Sequence, residues 1–198
     1  MNQIILLSGI AGTGKKTIGQ AITEINPMFK LVHHHDYLDP ILKLLNKNPK
    51  NTNPDSIWWD LDDNGWESLK KARRVAFDTI AYACSADDSF VITYELMKND
   101  IYHQAIFEEI KALADIRNAT FIPVRLICEL EELLKRLCSH ERKKYYKTQD
   151  VKLIKQRYSN SEVFQSRLKN ELTLDVSSLS PEESAHKIIG WAQQCHNK

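Results

Sequence analysis

The chain has 198 residues, with 27 Lys and Arg against 26 Asp and Glu, a formal charge of +1. That length suffices for one domain, because folding at this size buries roughly 70% of the surface an unfolded chain exposes. The near-zero balance excludes a global field favouring nucleic acid or an anionic membrane. Cys84, Cys128, Cys138 and Cys195 stand far apart and form no CxxC pair, which argues against a zinc site or disulfide framework and for a reducing compartment.

The opening MNQIILLSG has no basic leader and only four consecutive apolar residues, well short of an export signal or of the ~20 residues of a membrane span. The expectation is a cytoplasmic protein with no membrane partner. Residues 3–8 (QIILLS) predict a strand buried on both faces. Ile18, Ala21, Ile22 and Ile25 then recur at helical spacing up to Asn26-Pro27, which stops the helix. FKLVHH (29–34) predicts a second strand, and a helix is expected behind Asp39-Pro40, beginning with Ile41, Leu42, Leu44 and Leu45. The polar stretch 46–55 is expected to be a loop within the domain.

From Trp66 to Cys84 a long helix is predicted, with Trp66, Leu69, Ala76, Phe77, Ile80 and Cys84 on its core face. Residues 89–94 predict the third strand, 101–116 a helix and 120–128 the fourth strand. Leu130, Leu133, Leu134 and Leu137 form another helical stripe, and 172–176 is the fifth strand candidate. Ser180, Pro181 and Glu183 spell a capping box for a last helix with Ala185, Ile188, Ile189 and Ala192 inward. Five strands alternating with helices call for an α/β three-layer sandwich with a parallel sheet, since parallel neighbours need long crossovers. Ligands in such sheets sit at the carboxyl ends of the strands, where Gly9–Thr17, the residues after His33 and the segment after Tyr94 would converge.

GIAGTGKKT (9–17) matches the phosphate-loop pattern GxxxxGK between a strand and a helix. Glycines let consecutive N–H groups curl around one anion, and the helix dipole adds to the attraction. Gly9, Ala11, Gly12, Thr13, Gly14, Lys15, Lys16 and Thr17 are therefore candidate phosphate-binding residues, with Lys15 placed for the outer phosphates. Lys16 stands where such loops commonly carry the hydroxyl that holds magnesium. It is read either as a phosphate contact or as a solvated side chain.

The spacing G9-x-x-G12-x-G14-K15-x-T17 resembles the small-molecule kinase branch of the P-loop proteins, including adenylate kinase-like, shikimate kinase-like and gluconate kinase-like enzymes. The resemblance implies one P-loop domain over 1–198, an acceptor-binding part at about 35–85, a lid at about 136–150, and ATP with Mg2+ as cofactors. In adenylate kinase-like members the threonine follows one place after the usual position, as Thr17 does here. Magnesium would then be met through water and phosphate oxygens, with Thr17 and Glu95 as its candidate protein contacts. Many relatives end the third strand with an aspartate, whereas here Glu95 is the acid just beyond it.

Asp36 and Asp39 follow the second strand, where this superfamily places acids that meet the acceptor. A carboxylate there can orient an alcohol and take its proton late in a loose transition state. Asp39 also suits a helix cap. His33 and His35 are candidate substrate contacts rather than zinc ligands, and with Asp39 they form an HxHxxxD pattern that resembles uncharacterised P-loop ATPases. Arg73 and Arg74 are candidate forks for an anionic acceptor, or a solvated helix face. Trp58, Trp59 and Trp66 are candidates for an aromatic slot or for core packing. From Lys135 to Lys147 six basic residues stand against Glu141 alone, a net +5. At the lid position such arginines close over ATP, which makes Arg136 and Arg142 the catalytic candidates there. The residues up to SPEES resemble the adenine-side strand and last helix of gluconate kinase-like proteins.

The leading expectation is an ATP-dependent phosphotransferase acting on a shikimate-like hydroxyl compound, a nucleoside or a nucleotide. The alternative is a regulatory ATPase with a protein partner. RNA binding through the lid would bring steep salt dependence, and the neutral overall charge speaks against it. A monomer is compatible with these features.

Overall fold

The computed structural model describes residues 2–47, 57–58, 60–138 and 148–196. Strands β1 (Gln3–Ser8), β2 (Phe29–His33), β3 (Ser89–Tyr94), β4 (Thr120–Ile127) and β5 (Leu172–Asp175) form one sheet in the order β2-β3-β1-β4-β5. Every adjacent pair is parallel. Helices α1 (Lys15–Ile25), α2 (His34–Leu45), α3 (Asp63–Asp78), α4 (Ile101–Ile116), α5 (Leu130–Leu137), α6 (Val151–Asn160) and α7 (Pro181–His196) connect or cover them.

The period-2 alternation of β1 divides the core. Ile5 and Leu7 pack with Ile18 and Ile22 of α1 and Ile188 of α7, while Ile4 and Leu6 pack with Phe77 of α3 and Ile110 of α4. Both faces are covered, so β1 is buried along its whole length, and each fully buried Ile or Leu contributes about 1.5–3 kcal/mol. A smaller cluster of Leu38, Leu42, Ile57 and Leu69 joins α2 to α3. The capping box closes as expected: the Ser180 amide donates to Glu183 Oε2 at 2.8 Å, and the Glu183 amide donates to Ser180 Oγ at 3.1 Å.

Four local expectations are corrected. The helix expected behind Asp39-Pro40 begins earlier, at His34, so Asp39 lies in its second turn rather than capping it, and Pro40 is accommodated inside. Trp66 is 42% exposed, turned out of the core toward other aromatic rings. Ile25, at the end of the α1 stripe, is also 37% exposed rather than buried with Ile18 and Ile22. The long helix ends its α-form at Asp78 and widens into a π turn, Thr79–Ala83, closed by the Cys84 amide donating to Thr79 O at 3.1 Å. Arg117 holds that turn, donating to Ile80 O at 2.5 Å and Ser85 O at 2.6 Å, with its guanidinium over the Phe90 ring.

The strand register places the site. His33 pairs with Thr93, and Ser8 with both Tyr94 and Arg125, so the carboxyl ends of four strands lie in one row. The loop after β1 and the start of α2 both leave from that row. No helix of the described residues is long and apolar enough to cross a membrane.

Candidate functional site

The loop from Gly9 to Gly14 is shaped by its own backbone. Gly12 and Gly14 have φ of 101° and 85°, a region that costs other L-residues about 1–2 kcal/mol. A Cβ on Gly9 would lie 2.7 Å from Thr13 Oγ1 and 2.9 Å from the Leu126 carbonyl, so only glycine fits this passage over β4. The Ile10 carbonyl accepts from the Thr13 amide (3.2 Å), the Thr13 hydroxyl (2.9 Å) and Lys15 Nζ (3.1 Å). Lys15 Nζ also donates to Gly9 O at 2.6 Å, which draws its buried ammonium across the loop.

Helix α1 starts at Gly14 with no side-chain cap and no acid in its first turn. In contrast, Asp62, Asp100 and Asp150 cap α3, α4 and α6 with their own carboxylates. A curled glycine backbone, an uncapped helix start and a buried ammonium together suit a phosphate chain, so the residues present fit ATP. Thr17 stands exposed in the first turn of α1, and Ala11 is partly buried against the core.

Lys16 joins the two halves of the site. Its Nζ lies 3.2 Å from Asp36 Oδ1, linking the first turn of α1 to the first turn of α2. Asp36 is half-exposed, whereas Asp39 is buried with its Oδ1 2.7 Å from His35 Nδ1. One turn of helix separates His35 from Asp39, which brings them together on one face. His33 Nδ1 meets Thr93 Oγ1 at 2.6 Å, and His34 Nδ1 meets Thr93 O at 2.8 Å. The His34 ring stacks on Tyr94, with centroids 4.8 Å apart. Among the described residues, no group of three or more His, Cys, Asp and Glu could hold a metal ion.

Beyond the histidines, Tyr37 and Tyr94 share a hydroxyl–hydroxyl hydrogen bond. Burial raises the pKa of both, that of Tyr94 to about 12, so both hydroxyls stay neutral. Arg73 reaches this pair from α3, and its fork is filled: Nε donates to Glu109 Oε2 at 2.7 Å and Nη2 to Glu109 Oε1 at 3.0 Å. Burial opposes the charge on Arg73, but Glu109 and the two tyrosines outweigh it and leave its pKa above the ordinary value. Arg74 is exposed on the neighbouring face of the helix.

Glu95, just past β3, accepts from Arg157 Nη1 of α6 at 3.0 Å. Residues 96–98 pair with 162–164 through Lys98 N to Glu162 O (2.8 Å) and Phe164 N to Leu96 O (2.9 Å), which holds α6 beside the carboxyl end of β3. Burial pushes the nearby His103 imidazole down, toward its neutral form.

Arg136, at the end of α5, donates to Glu132 Oε1 (2.9 Å) and to Val176 O (2.9 Å), so it lies against the segment after β5. Leu133 and Leu137 of the same helix pack beside Gly12. Between α5 and the segment after β5 an open groove of about 570 Å³ is lined by Glu129, Glu132, Lys135, Asp175 and Ser177 among others, a largely acidic setting unlike the glycine loop. Arg142, Trp59, most of the polar loop at 46–55 and most of the expected lid lie outside the described residues.

Sequence reasoning missed Tyr37, Thr93, Tyr94, Glu109 and Arg157. The signal available was position alone: Thr93 and Tyr94 end a strand that leads into the site. The partners of Arg73 and Glu95 lie 36 and 62 residues away in the chain, and no local pattern announces them.

No protein-family model matches the chain, and no curated protein matches it. Solved structures do. A sugar kinase from Janibacter sp. HTCC2649 superposes with a TM-score of 0.59 at 16% identity, over 98% of this chain and 95% of that one. A gluconokinase from Sinorhizobium meliloti 1021 gives 0.57 at 17%, over 99% and 95%. Shikimate kinase from Acinetobacter baumannii, in complex with shikimate, gives 0.57 at 16%, over 100% and 97%. The chain therefore has the fold of the P-loop small-molecule kinases, with its five-stranded parallel sheet and flanking helices.

Proposed function

We propose that this protein is an ATP-dependent kinase that transfers the γ-phosphoryl group to a hydroxyl of a small metabolite. The observation that carries the reading is the 3.2 Å contact between Lys16 and Asp36. It sets a half-exposed carboxylate beside the phosphate loop, on the helix that opens the acceptor side.

In this reading the amides of residues 9–17 and the Lys15 ammonium bind the phosphates of ATP, which supplies the phosphoryl group. Lys15 exchanges its contacts to Gly9 O and Ile10 O for phosphate oxygens and offsets the charge gathering there. Asp36 orients the acceptor hydroxyl and takes its proton, and Lys16 keeps Asp36 aimed at the loop. Asp39 acts through His35, fixing its tautomer and ring plane, while His33 and His35 line the acceptor side. Arg136 and the segment after β5 border the base of the nucleotide. Arg142 and the rest of the lid segment exclude water, which otherwise competes for the phosphoryl group.

Magnesium accompanies ATP. The groups proposed for its surroundings are the Thr17 hydroxyl and the Glu95 carboxylate. The second fits poorly as a direct ligand, because Arg157 already occupies it. Water and phosphate oxygens supply the remaining positions.

The same Glu95–Arg157 pair supports a second reading, a regulatory ATPase that hydrolyses slowly, since it leaves no unoccupied acid at the end of β3. ADP release from Mg-ATP decides between them. An acceptor that raises the rate by about two orders of magnitude or more, with the gain abolished in Lys15→Ala, supports the kinase. Slow ADP release that no acceptor raises supports the ATPase.

A further inference from the structure

Arg74 stands exposed on α3, but most of the cations around the carboxyl ends of β2 and β3 stand beside a carboxylate. Lys16 is matched by Asp36, Arg73 by Glu109 in a two-point pair, and Arg157 by Glu95. The Lys98 ammonium, on the stretch that leaves β3, is matched by Glu162 at 2.8 Å. His35 already has Asp39. Among the described residues around the carboxyl ends of β2 and β3, each of these cations has its carboxylate.

What the same region does present is ring faces over a buried polar floor. The part-buried His34 imidazole stacks on Tyr94, while the Tyr94 and Thr93 hydroxyls are buried and bonded to Tyr37 and His33. Further along, Trp66 stacks on Tyr102 with an interplanar angle of 17°, and Trp58 packs against Trp66 at 6.0 Å. Trp66 and Arg73 are two turns apart on α3, as are Tyr102 and Glu109 on α4. The two helices therefore run side by side in the same direction, with an aromatic stack at one level and the ion pair at the next. Trp66 and Tyr102 keep 42% and 65% of their surface exposed, so their edges remain available.

We infer that the acceptor is an uncharged, hydroxyl-bearing ring compound, a sugar or the sugar of a nucleoside, and not a carboxylate or a phosphate ester. This rests on the phosphotransfer reading above. An anionic acceptor would have to displace Glu109 from a two-point contact with Arg73, and the displaced carboxylate would then face the incoming anion. A neutral ring avoids that penalty and stacks on the exposed aromatic faces of Trp66 and Tyr102. The ion pairs act as selectivity elements by being closed to a third partner.

The test measures ADP formation from Mg-ATP by the full chain with acceptor pairs that differ by an anionic group. Glucose and glucuronate form the sugar arm, adenosine and AMP or uridine and UMP form the nucleoside arm, and shikimate methyl ester and shikimate form a third. The neutral member should raise kcat/KM at least about tenfold over its anionic partner, and the arm that responds identifies a sugar or a nucleoside. In Glu109→Gln, where Arg73 keeps its charge and loses its carboxylate, the gap should narrow through a lower KM for the anionic member. Glu109 is 44% exposed, so this variant is expected to fold. Preference of the wild type for the anionic member would overturn the inference and leave the kinase standing. Absence of any acceleration by either member of all pairs would overturn the phosphotransfer reading, and the inference with it.

Discussion

The glycine loop at 9–14 and the proposed acceptor side lie at the same end of the same sheet, but they are built in opposite ways. Within the loop, Thr13 and Lys15 bond to carbonyls three to six residues back, and the shape depends on two glycines at positive φ. On the acceptor side, His33 meets Thr93 across 60 residues and Arg73 meets Glu109 across 36. The loop presents backbone amides and one buried ammonium, an arrangement open to an anion. The acceptor side presents side chains whose charges are already paired. The proposed kinase, which would bind polyanionic phosphate and a second, chemically different molecule, would be well served by this division, because each half disfavours the other's ligand.

The sharpest way to break the comparison is at the loop. Lys15→Ala should lower kcat/KM for ADP formation by about 10²–10³-fold, read by a coupled assay, and should leave the thermal midpoint of the ligand-free protein close to wild type. A midpoint lowered as strongly as the activity would show Lys15 to be chiefly structural. On the acceptor side, Asp36→Asn should reduce kcat by about 10²-fold or more while ATP affinity, measured by calorimetry, changes little. A matching loss of ATP affinity would assign Asp36 to the phosphate half instead.

Stability effects come next in size. Gly12→Ala places a Cβ 3.2 Å from Leu133 Cδ2 at a φ of 101°, and should cost about 1–3 kcal/mol. For a chain of this size that is about 2–12 °C in thermal midpoint, seen by calorimetric melting. Tyr94→Phe should cost about 1–3 kcal/mol by leaving the Tyr37 hydroxyl without its partner. Tyr94 also sets a pH signature. Its folded pKa, about 12, lies above the unfolded value near 10, so folding favours the neutral phenol. That contribution is fully present below about pH 10 and is lost as pH rises toward about 12. Urea melts over this range should show the wild type losing stability more steeply than Tyr94→Phe.

The smallest effect belongs to the link between the two halves. Lys16→Ala removes an ion pair whose carboxylate is half-exposed, and should change stability by no more than about 1 kcal/mol. Its expected signature is a fall in kcat without an equal fall in stability. If kcat is unchanged as well, Lys16 is a solvated side chain and the coupling between loop and acceptor helix is absent.

Much of the fold could be read in advance. The apolar runs at 3–8 and 89–94 are short and bounded by breakers, 120–127 is apolar around Pro123 and Arg125, and Ser180 with Glu183 carries its helix start within four residues. The shape of the glycine loop was legible for the same reason, since glycine φ values, local carbonyl contacts and a helix start are all encoded within nine residues. The start of α2 was not legible. The sequence places a good cap, Asp39, before a proline, and that local preference lost to packing: with the helix begun at His34, Leu38 and Leu42 lie one turn apart and bury with Leu69. Trp66 went the other way, leaving the core to stack on Tyr102.

Local sequence thus determined the strands, the caps and the phosphate loop, because each depends on dihedral preferences and hydrogen bonds that close within a turn or two. Only the tertiary structure decided that Arg73 is held by Glu109, that Glu95 is held by Arg157 and that Asp36 faces Lys16. Those pairings depend on which helices the parallel crossovers set side by side, and charge neutralisation across such distances leaves no periodic trace in the chain.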